Sequence, residues 1–185
     1  MAGGPLKDIR VIDMTSVVVG PMVSLMLADN GADVIKVEPP AGDIVRNLGG
    51  RAITPNMSPK FLHLNRNKRS LAIDLKKPEA YEAIKKLLAT ADVLLWNVRP
   101  SAMARLKLSY EDVKAINPKI IYCGIVGFGQ DGRYKNKPAY DSIIQGSGGI
   151  AALHHRATGE PRYVPIVMAD KTTGLIATQM VLMAQ

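Results

Sequence analysis

Short apolar runs alternate with amphipathic stretches along most of this chain. Runs rich in valine, isoleucine and leucine, each about as long as a β-strand, occur at 9–14, 33–38, 70–75, 92–97 and 120–126. Apolar residues spaced three and four apart, or residues that favour the start or end of a helix, predict helices at 20–28, from Pro78 onward, at 109–116 and at 172–185. This strand–helix–strand order is typical of right-handed βαβ units. We therefore predict an α/β domain with a Rossmann-like parallel sheet flanked by helices.

Two long segments, 39–65 and 127–138, interrupt the alternation. Both contain several glycines, and both follow predicted strands. Ligands of open α/β sheets bind at the carboxyl ends of the strands, so we expect the two loops to border the functional site. The helical pattern of 172–185 reaches the last residue without a stop signal. We therefore also expect the chain to be the first part of a longer protein.

The composition adds limits on the class of protein. Of the 185 residues, 47% are hydrophobic and 22% are charged, which is typical of a water-soluble globular domain. No apolar run reaches the roughly 18 residues of a membrane span, and the first residues lack a signal-peptide core. We expect a cytoplasmic protein with no membrane partner. The one cysteine, Cys123, excludes an internal disulfide and a cysteine-rich zinc site.

The charge balance points to an anionic ligand. Lysine and arginine outnumber aspartate and glutamate by 24 to 16, a formal charge of +8. Aromatic residues make up only 5% of the chain and do not alternate with basic ones, so we expect no nucleic-acid partner. A polyphosphate cofactor fits better. The densest basic run, 65–70, precedes a strand and is either a solvated turn or a phosphate clamp.

Three other candidate sites are weaker. Glu38 ends the second strand, where a ribose-binding acid of a dinucleotide fold would stand, but Gly20 is alone where that fingerprint has three glycines. His154 and His155 have no acidic or cysteine partner at a ligand spacing, so we expect no metal. Cys123 lies within an apolar strand and is predicted to act as a small hydrophobic residue.

Asp170 is the carboxylate with the most suggestive position, at the start of the last helical stretch. In one interpretation it is an N-cap aspartate that accepts hydrogen bonds from free backbone N–H groups. In the other it is a carboxylate nucleophile. The two interpretations are compatible, because a helix N-terminus favours the ionised form and only the ionised form attacks.

An ordered set of short segments is characteristic of one family. The segments are 5–13, Gly20-Pro21, 27–38, Gly42-Asp43, 67–70, 97–100, 127–132, 138–141 and Ala169-Asp170. In order and spacing they resemble the N-terminal part of family III CoA-transferases, the CaiB–BaiF group, over essentially the whole chain. The resemblance implies that residues 1–185 form the N-terminal part of the large, Rossmann-like domain. In the family, a second domain and a C-terminal return follow, and two chains interlock as a homodimer.

The same resemblance implies a reaction and its residues. CoA would move from an acyl-CoA donor to a carboxylic acid acceptor through an aspartyl anhydride and an aspartyl-CoA thioester. The nucleophile falls on Asp170, and Tyr140 falls near the acyl group. No metal is implied. The residues implied to bind CoA are Ser16, Val17, Val18, Val19, Lys68, Arg69, Asn97, Arg99 and Arg105.

Two alternatives stay open. The first is an acyl-CoA racemase or a CoA-linked lyase of the same fold. Racemases have a histidine where this chain has Tyr140, and a phenol with a pKa near 10 is a poor proton shuttle at neutral pH, which favours the transferase. The second alternative is a truncated, non-catalytic lobe that binds CoA or assembles with partners. In the family, the glycine-rich loop that covers the aspartate comes from a later part of the chain.

Overall fold

A five-stranded parallel sheet forms the centre of the molecule. The computed structural model describes residues 3–50 and 52–185. The strands are β1 (Arg10–Met14), β2 (Asp33–Glu38), β3 (Lys68–Ala72), β4 (Val93–Trp96) and β5 (Ile121–Gly124). Their order is β3-β2-β1-β4-β5, and every pairing is parallel. The predicted α/β fold with a Rossmann-like sheet is confirmed.

The described part of the chain also contains eight α-helices and one short 3₁₀ helix (Ile44–Asn47), and the last three α-helices follow β5. The α-helices are α1 (Val19–Asp29), α2 (Pro59–Asn65), α3 (Pro78–Leu88), α4 (Pro100–Arg105), α5 (Tyr110–Ile116), α6 (Asp141–Ser147), α7 (Ile150–Thr158) and α8 (Met168–Met183). Proline in the first turn starts three of them, since its missing N–H has no helical partner there. No helix in residues 3–50 and 52–185 is both long and apolar enough to cross a membrane.

The core lies on both faces of the sheet. Ile12 and Leu94 face one side, where they pack with Ile84 and Leu88 of α3. Their neighbours in the strands face the other side, where Val11 and Val93 pack with residues of α1 and α8. Successive side chains of a strand point to opposite faces, so a strand covered on both faces needs an unbroken apolar run. This is why β1, β2 and β4 could be recognised from the sequence.

The core predicts a measurable difference between two isoleucines. Ile12 is completely buried, whereas Ile53 is fully exposed. We expect Ile12→Val to lower the free energy of unfolding by about 0.5–1.5 kcal/mol, because the lost methylene leaves a small void. The same change at Ile53 serves as the matched control and should leave stability unchanged. Urea unfolding of both variants checks this; an equal loss at the two sites would contradict the packing described above.

The third strand differs from its prediction. It covers Lys68–Ala72 rather than 70–75, and it pairs with β2 from Val34 to Glu38. Its first residues are charged, so apolar content alone placed the strand too late. The loop 39–65 also holds more structure than predicted. The 3₁₀ helix starts after Asp43, whose side chain accepts a hydrogen bond from Val45 N, and α2 starts after Ser58, which caps Phe61 N.

Candidate active site

A cleft of about 640 Å³ opens at the carboxyl ends of β1, β4 and β5. Its walls are the segments that follow these strands, 16–19, 97–102 and 125–128, together with parts of the loop before α6 and the start of α8. The strand order reverses between β1 and β4. The cleft therefore lies at the topological switch point, where open α/β sheets bind their ligands. Its volume is within the range of small-molecule sites.

Most of the candidate residues meet in this cleft. The candidates that line it are Ser16, Val17, Val18, Val19, Asn97, Arg99, Arg105, Tyr140 and Asp170. They come from four separate regions of the sequence, which the carboxyl ends of the parallel strands and the start of α8 bring together. Tyr140 immediately precedes α6 and is 61% exposed.

Lys68 and Arg69, which the resemblance implies to bind CoA, do not line the cleft. No other residue of 65–70 lines it either, so the described lining does not support the phosphate clamp, one of the two interpretations of this run. The Lys68 ammonium is buried and lies 3.2 Å from the Asp13 carboxylate. Burial lowers the pKa of Lys68 to about 8, against the opposing effect of Asp13. Arg69 instead pairs with Asp33 at the amino end of β2, away from the carboxyl edge of the sheet. The linear sequence does not show that the buried Asp13 needs a cation.

Sequence reasoning missed two basic residues of the cleft. Lys135 and Lys137, from the glycine-rich loop 127–138, line it beside Arg99 and Arg105. All four residues are exposed, and none forms an ion pair with a described carboxylate. The basic character of the loop was visible in the sequence, but not which lysines would face the cleft. Together the four cations give the wall of the cleft a positive charge, which favours anionic ligands.

Asp170 is the one carboxylate among the described residues of the cleft wall. It is the third residue of α8, and Val167 holds the N-cap position. No described group donates a hydrogen bond to the Asp170 carboxylate, so the N-cap interpretation is wrong. The backbone N–H of Asp170 does have a partner, because it donates to Asp141 Oδ1 at 3.0 Å. The carboxylate itself is therefore left to face the cleft.

The ionisation of Asp170 is tuned by its surroundings. Burial raises the pKa of Asp170, the nearby Asp141 carboxylate raises it further, and Lys60 opposes both. The expected lowering by a helix N-terminus does not dominate here. A raised pKa makes the carboxylate a stronger base and a better nucleophile, provided that the working pH still ionises it.

A buried glutamine connects α6 to the segment that leads into α8. Gln145 is only 2% exposed, and its Nε2 donates to Asp141 Oδ2 at 2.6 Å. The same nitrogen donates to the carbonyl oxygens of Val164 and Ile166, and Gln145 Oε1 accepts from Val164 N. This network holds the chain segment that precedes Asp170 against α6. No local pattern in the sequence indicated it, because Val164 and Ile166 lie about twenty residues from Gln145.

The position of α8 is fixed by its packing on α1. Ala177 and Val181 of α8 are buried in the core beside residues of α1. Thr178 Oγ1 also contacts Met26 Sδ at 3.7 Å. Since α1 follows β1 directly, this packing holds the start of α8 against the cleft.

Among residues 3–50 and 52–185, no group of three or more His, Cys, Asp or Glu side chains could hold a metal ion. His154 lies on α7 and bonds locally to Thr158 and Glu160 through its ring nitrogen. Burial raises the pKa of the Cys123 thiol, which disfavours the reactive thiolate. The ionisable side chains among the described residues that line the cleft are Asp170, Tyr140, Arg99, Arg105, Lys135 and Lys137.

A comparison with known proteins identifies the family. The sequence profile of CoA-transferase family III matches residues 6–185, and the chain belongs to that family. It is 42% identical over 177 residues to a succinate–glutarate CoA-transferase of Agrobacterium fabrum, and 38% identical over 174 residues to the human succinyl-CoA:glutarate CoA-transferase. These matches cover 92% and 94% of this chain, but 44% and 40% of the two relatives.

The fold comparison agrees. A CAIB/BAIF family protein from Brucella suis superposes on 98% of this chain with a TM-score of 0.91 and 38% sequence identity. The match covers 49% of that protein. The chain thus spans less than half the length of the curated relatives and about half of the solved structure.

Proposed function

We propose that this chain carries the CoA-binding cleft and the nucleophile of a CoA-transferase, with Asp170 as the attacking carboxylate. The observation that carries the proposal is the placement of Asp170. It is the single described carboxylate of a cationic cleft at the switch point of the sheet, and no described side chain engages it. A carboxylate without a described hydrogen-bond donor, in a cleft that four cations also line, fits a nucleophile that must receive an anionic ester and release a carboxylate.

The proposed reaction proceeds through two kinds of covalent intermediate. A carboxylate oxygen of Asp170 attacks the thioester carbonyl of the donor, the C–S bond breaks, and CoA leaves as a thiolate. The product is a mixed acyl–aspartyl anhydride. The thiolate then attacks the aspartyl carbonyl, the anhydride C–O bond breaks, and the donor acid leaves as a carboxylate. Asp170 now holds CoA as a thioester.

The second half of the proposed cycle repeats these steps in reverse order with the acceptor. The acceptor carboxylate attacks the aspartyl thioester and displaces the CoA thiolate, which gives a new anhydride. The thiolate attacks the acceptor's acyl carbon and displaces the Asp170 carboxylate. No electron or proton has to be supplied, because each step exchanges one acyl nucleophile for another.

CoA recognition is assigned to the remaining walls of the cleft. Arg99, Arg105, Lys135 and Lys137 are proposed to meet the phosphates, since cationic donors make strong charge-assisted hydrogen bonds to phosphate oxygens. The segment 16–19 is proposed to line the pantetheine arm with its backbone. Lys68 and Arg69 are left out of this proposal because their charges are already paired elsewhere.

The substrates of the relatives suggest the first acyl groups to test. The relatives from Agrobacterium fabrum and human are named for succinate or succinyl-CoA and for glutarate. We therefore propose short dicarboxylic acids as donor and acceptor. The cytoplasmic location and the homodimer expected from the resemblance stay predictions. Measurement of the molar mass in solution tests the homodimer.

The deciding experiment traps the covalent intermediate. The protein is incubated with succinyl-CoA and then with hydroxylamine, which converts an aspartyl anhydride or thioester into a stable hydroxamate. Intact mass and peptide mapping should place the modification on Asp170. A modification elsewhere would overturn the nucleophile assignment. If folded protein binds CoA but gives no hydroxamate with any donor of an acyl-CoA panel, the non-catalytic CoA-binding lobe is the correct interpretation.

The same experiment separates the transferase from the racemase of the same fold. A racemase moves a proton at the carbon next to the thioester, so it exchanges that hydrogen with deuterated water and forms no hydroxamate. Tyr140 supports the transferase, because its phenol lies at the cleft where the racemase branch has a histidine.

The raised pKa of Asp170 predicts how activity depends on pH. The carboxylate must be ionised to attack, so kcat/KM should fall as the pH drops through the raised pKa. Asp141→Asn removes a negative charge that raises this pKa but keeps an oxygen to accept Asp170 N–H. We therefore expect the acidic limb of kcat/KM to move to lower pH in Asp141→Asn.

The matched control for this prediction is Asp131→Asn, which removes one negative charge from an exposed residue that does not line the cleft. Its acidic limb should stay where the unmodified protein has it. A profile of Asp141→Asn that coincides with the control would show that the acidic limb belongs to another group.

A further inference from the structure

The segment that follows β1 contains a strained residue. Val17 has a φ of +71°, in the left-handed region that glycine adopts freely and a β-branched residue adopts only under constraint. Val17 also lines the cleft between Ser16 and Val18. An unfavourable backbone conformation persists only where its surroundings hold it, so the contacts of this segment determine the shape of the cleft wall.

The constraint comes from a buried ion pair behind the segment. Val17 N–H donates to both carboxylate oxygens of Asp43, at 3.3 and 3.2 Å. The Lys36 ammonium lies 3.2 Å from Asp43 Oδ2 and also donates to the carbonyl oxygen of Thr15 at 2.8 Å. The side chains of Lys36 and Asp43 are almost completely buried. One ion pair therefore holds the backbone on both sides of Ser16.

A second clamp holds the segment from the direction of β4. Asn97 Oδ1 accepts from Ser16 N at 2.9 Å, and Asn97 Nδ2 donates to the Ser16 carbonyl oxygen at 2.8 Å. Asp43 is itself fixed, because its backbone N–H donates to Glu38 Oε2 and its side chain caps Val45 N. The wall of the cleft is thus supported by Lys36 of β2, Asp43 of the loop after it and Asn97, the residue that follows β4.

Neither Asp43 nor Lys36 lines the cleft or takes part in the proposed reaction. A buried ion pair contributes little net stability compared with well-packed apolar residues, so stability alone does not account for its presence. We infer that Asp43, paired with Lys36, is a positioning residue that holds Ser16–Val18 in the conformation that receives CoA. This inference rests on the proposed function only in naming CoA as the ligand that the segment receives.

The test compares Asp43→Asn with a matched control, Asp33→Asn. Asp33 forms its ion pairs with Arg10 and Arg69 at the opposite end of β2, so the control loses an aspartate charge without touching the cleft. Hydrogen exchange of the ligand-free protein is measured on the peptide that covers residues 15–19. The affinity for CoA itself is measured by calorimetry, under conditions in which each variant is folded.

A positioning role predicts two changes in Asp43→Asn. The 15–19 peptide should exchange about tenfold faster while the core strands stay protected, because the loss of the buried carboxylate makes local opening of this segment easier. The dissociation constant for CoA should rise about tenfold, since the loop must now be ordered on binding. Asp33→Asn should show neither change. Unchanged exchange of this peptide in folded Asp43→Asn would overturn the inference.

A purely structural role gives a different result, namely lower stability with the exchange of 15–19 and the affinity for CoA both unchanged. If Asp43→Asn does not fold, the double variant Lys36→Met/Asp43→Ser replaces it. It removes both buried charges together and keeps a good N-cap for Val45 N. If the unmodified protein binds no CoA, the proposed function fails, and the exchange measurement still decides whether Asp43 positions the segment.

Discussion

Asp170→Asn is expected to lower the rate of CoA transfer by roughly 10⁴-fold or more, as the loss of a covalent nucleophile does in other enzymes. The amide has nearly the shape of the carboxylate, and the backbone N–H of residue 170 keeps its partner Asp141. The cations of the cleft are untouched. The affinity for CoA should therefore equal or exceed that of the unmodified protein, because a negative charge has left an anion-binding cleft.

The measurement combines a transfer assay with succinyl-CoA and glutarate and a calorimetric titration with CoA. Asp170→Ala is tested in parallel, because an asparagine in a reactive site can hydrolyse back to aspartate. Both variants should also lose the hydroxamate in the trapping experiment. Transfer within tenfold of the unmodified rate in Asp170→Ala would place the nucleophile elsewhere. A parallel loss of CoA affinity would instead indicate that Asp170 supports the cleft.

The strands that the sequence predicts most sharply are those covered on both faces. The run 33–38 predicts β2 with the bounds that the structure has, Asp33–Glu38, because nearly all of its side chains are buried. α6 and α7 were not predicted. α7 has no buried residue, so no apolar stripe marks it, and it starts and ends at glycines with positive φ. Short helices that lie on the surface leave too weak a periodic signal to be recognised.

The site was predictable in part, and for a different reason. The carboxyl ends of parallel strands meet at one edge of a sheet, and this predicts a place beside the site for the loop 127–138, whose Lys135 and Lys137 line the cleft. The same argument also predicts the loop 39–65 there, but none of the described lining residues comes from it. The segment 16–19, Asn97 and Arg99 are implied by the family resemblance and not by the strand pattern.

The roles of the charged residues could not be predicted from the strand pattern. Lys68 and Lys137 are both lysines in basic segments, yet the first pairs with the buried Asp13 and the second lines the cleft. That difference depends on long-range contacts that a linear pattern does not contain.

The cationic wall predicts the second large effect, on CoA binding. We expect the double variant Arg99→Ala/Arg105→Ala to weaken the affinity for CoA by about 100-fold at low salt, taking about 1.5 kcal/mol for each charged hydrogen bond. Both arginines are exposed, so added salt should screen their attraction for phosphate. The difference in CoA affinity between the unmodified protein and the double variant should therefore shrink as the salt concentration rises.

The matched control is Lys76→Ala/Lys77→Ala, which removes two cations from exposed residues outside the cleft. It lowers the net charge of the protein by the same amount, so it separates general attraction from local contact. Its CoA affinity should change by less than about threefold, because distant exposed charges are largely screened.

If the two double variants lost affinity equally, the arginines would act only through net charge, and the residues that bind the phosphates would have to be sought elsewhere. A large loss in the arginine variant alone, combined with unchanged hydroxamate formation at saturating succinyl-CoA, would assign Arg99 and Arg105 to binding and leave the chemistry with Asp170.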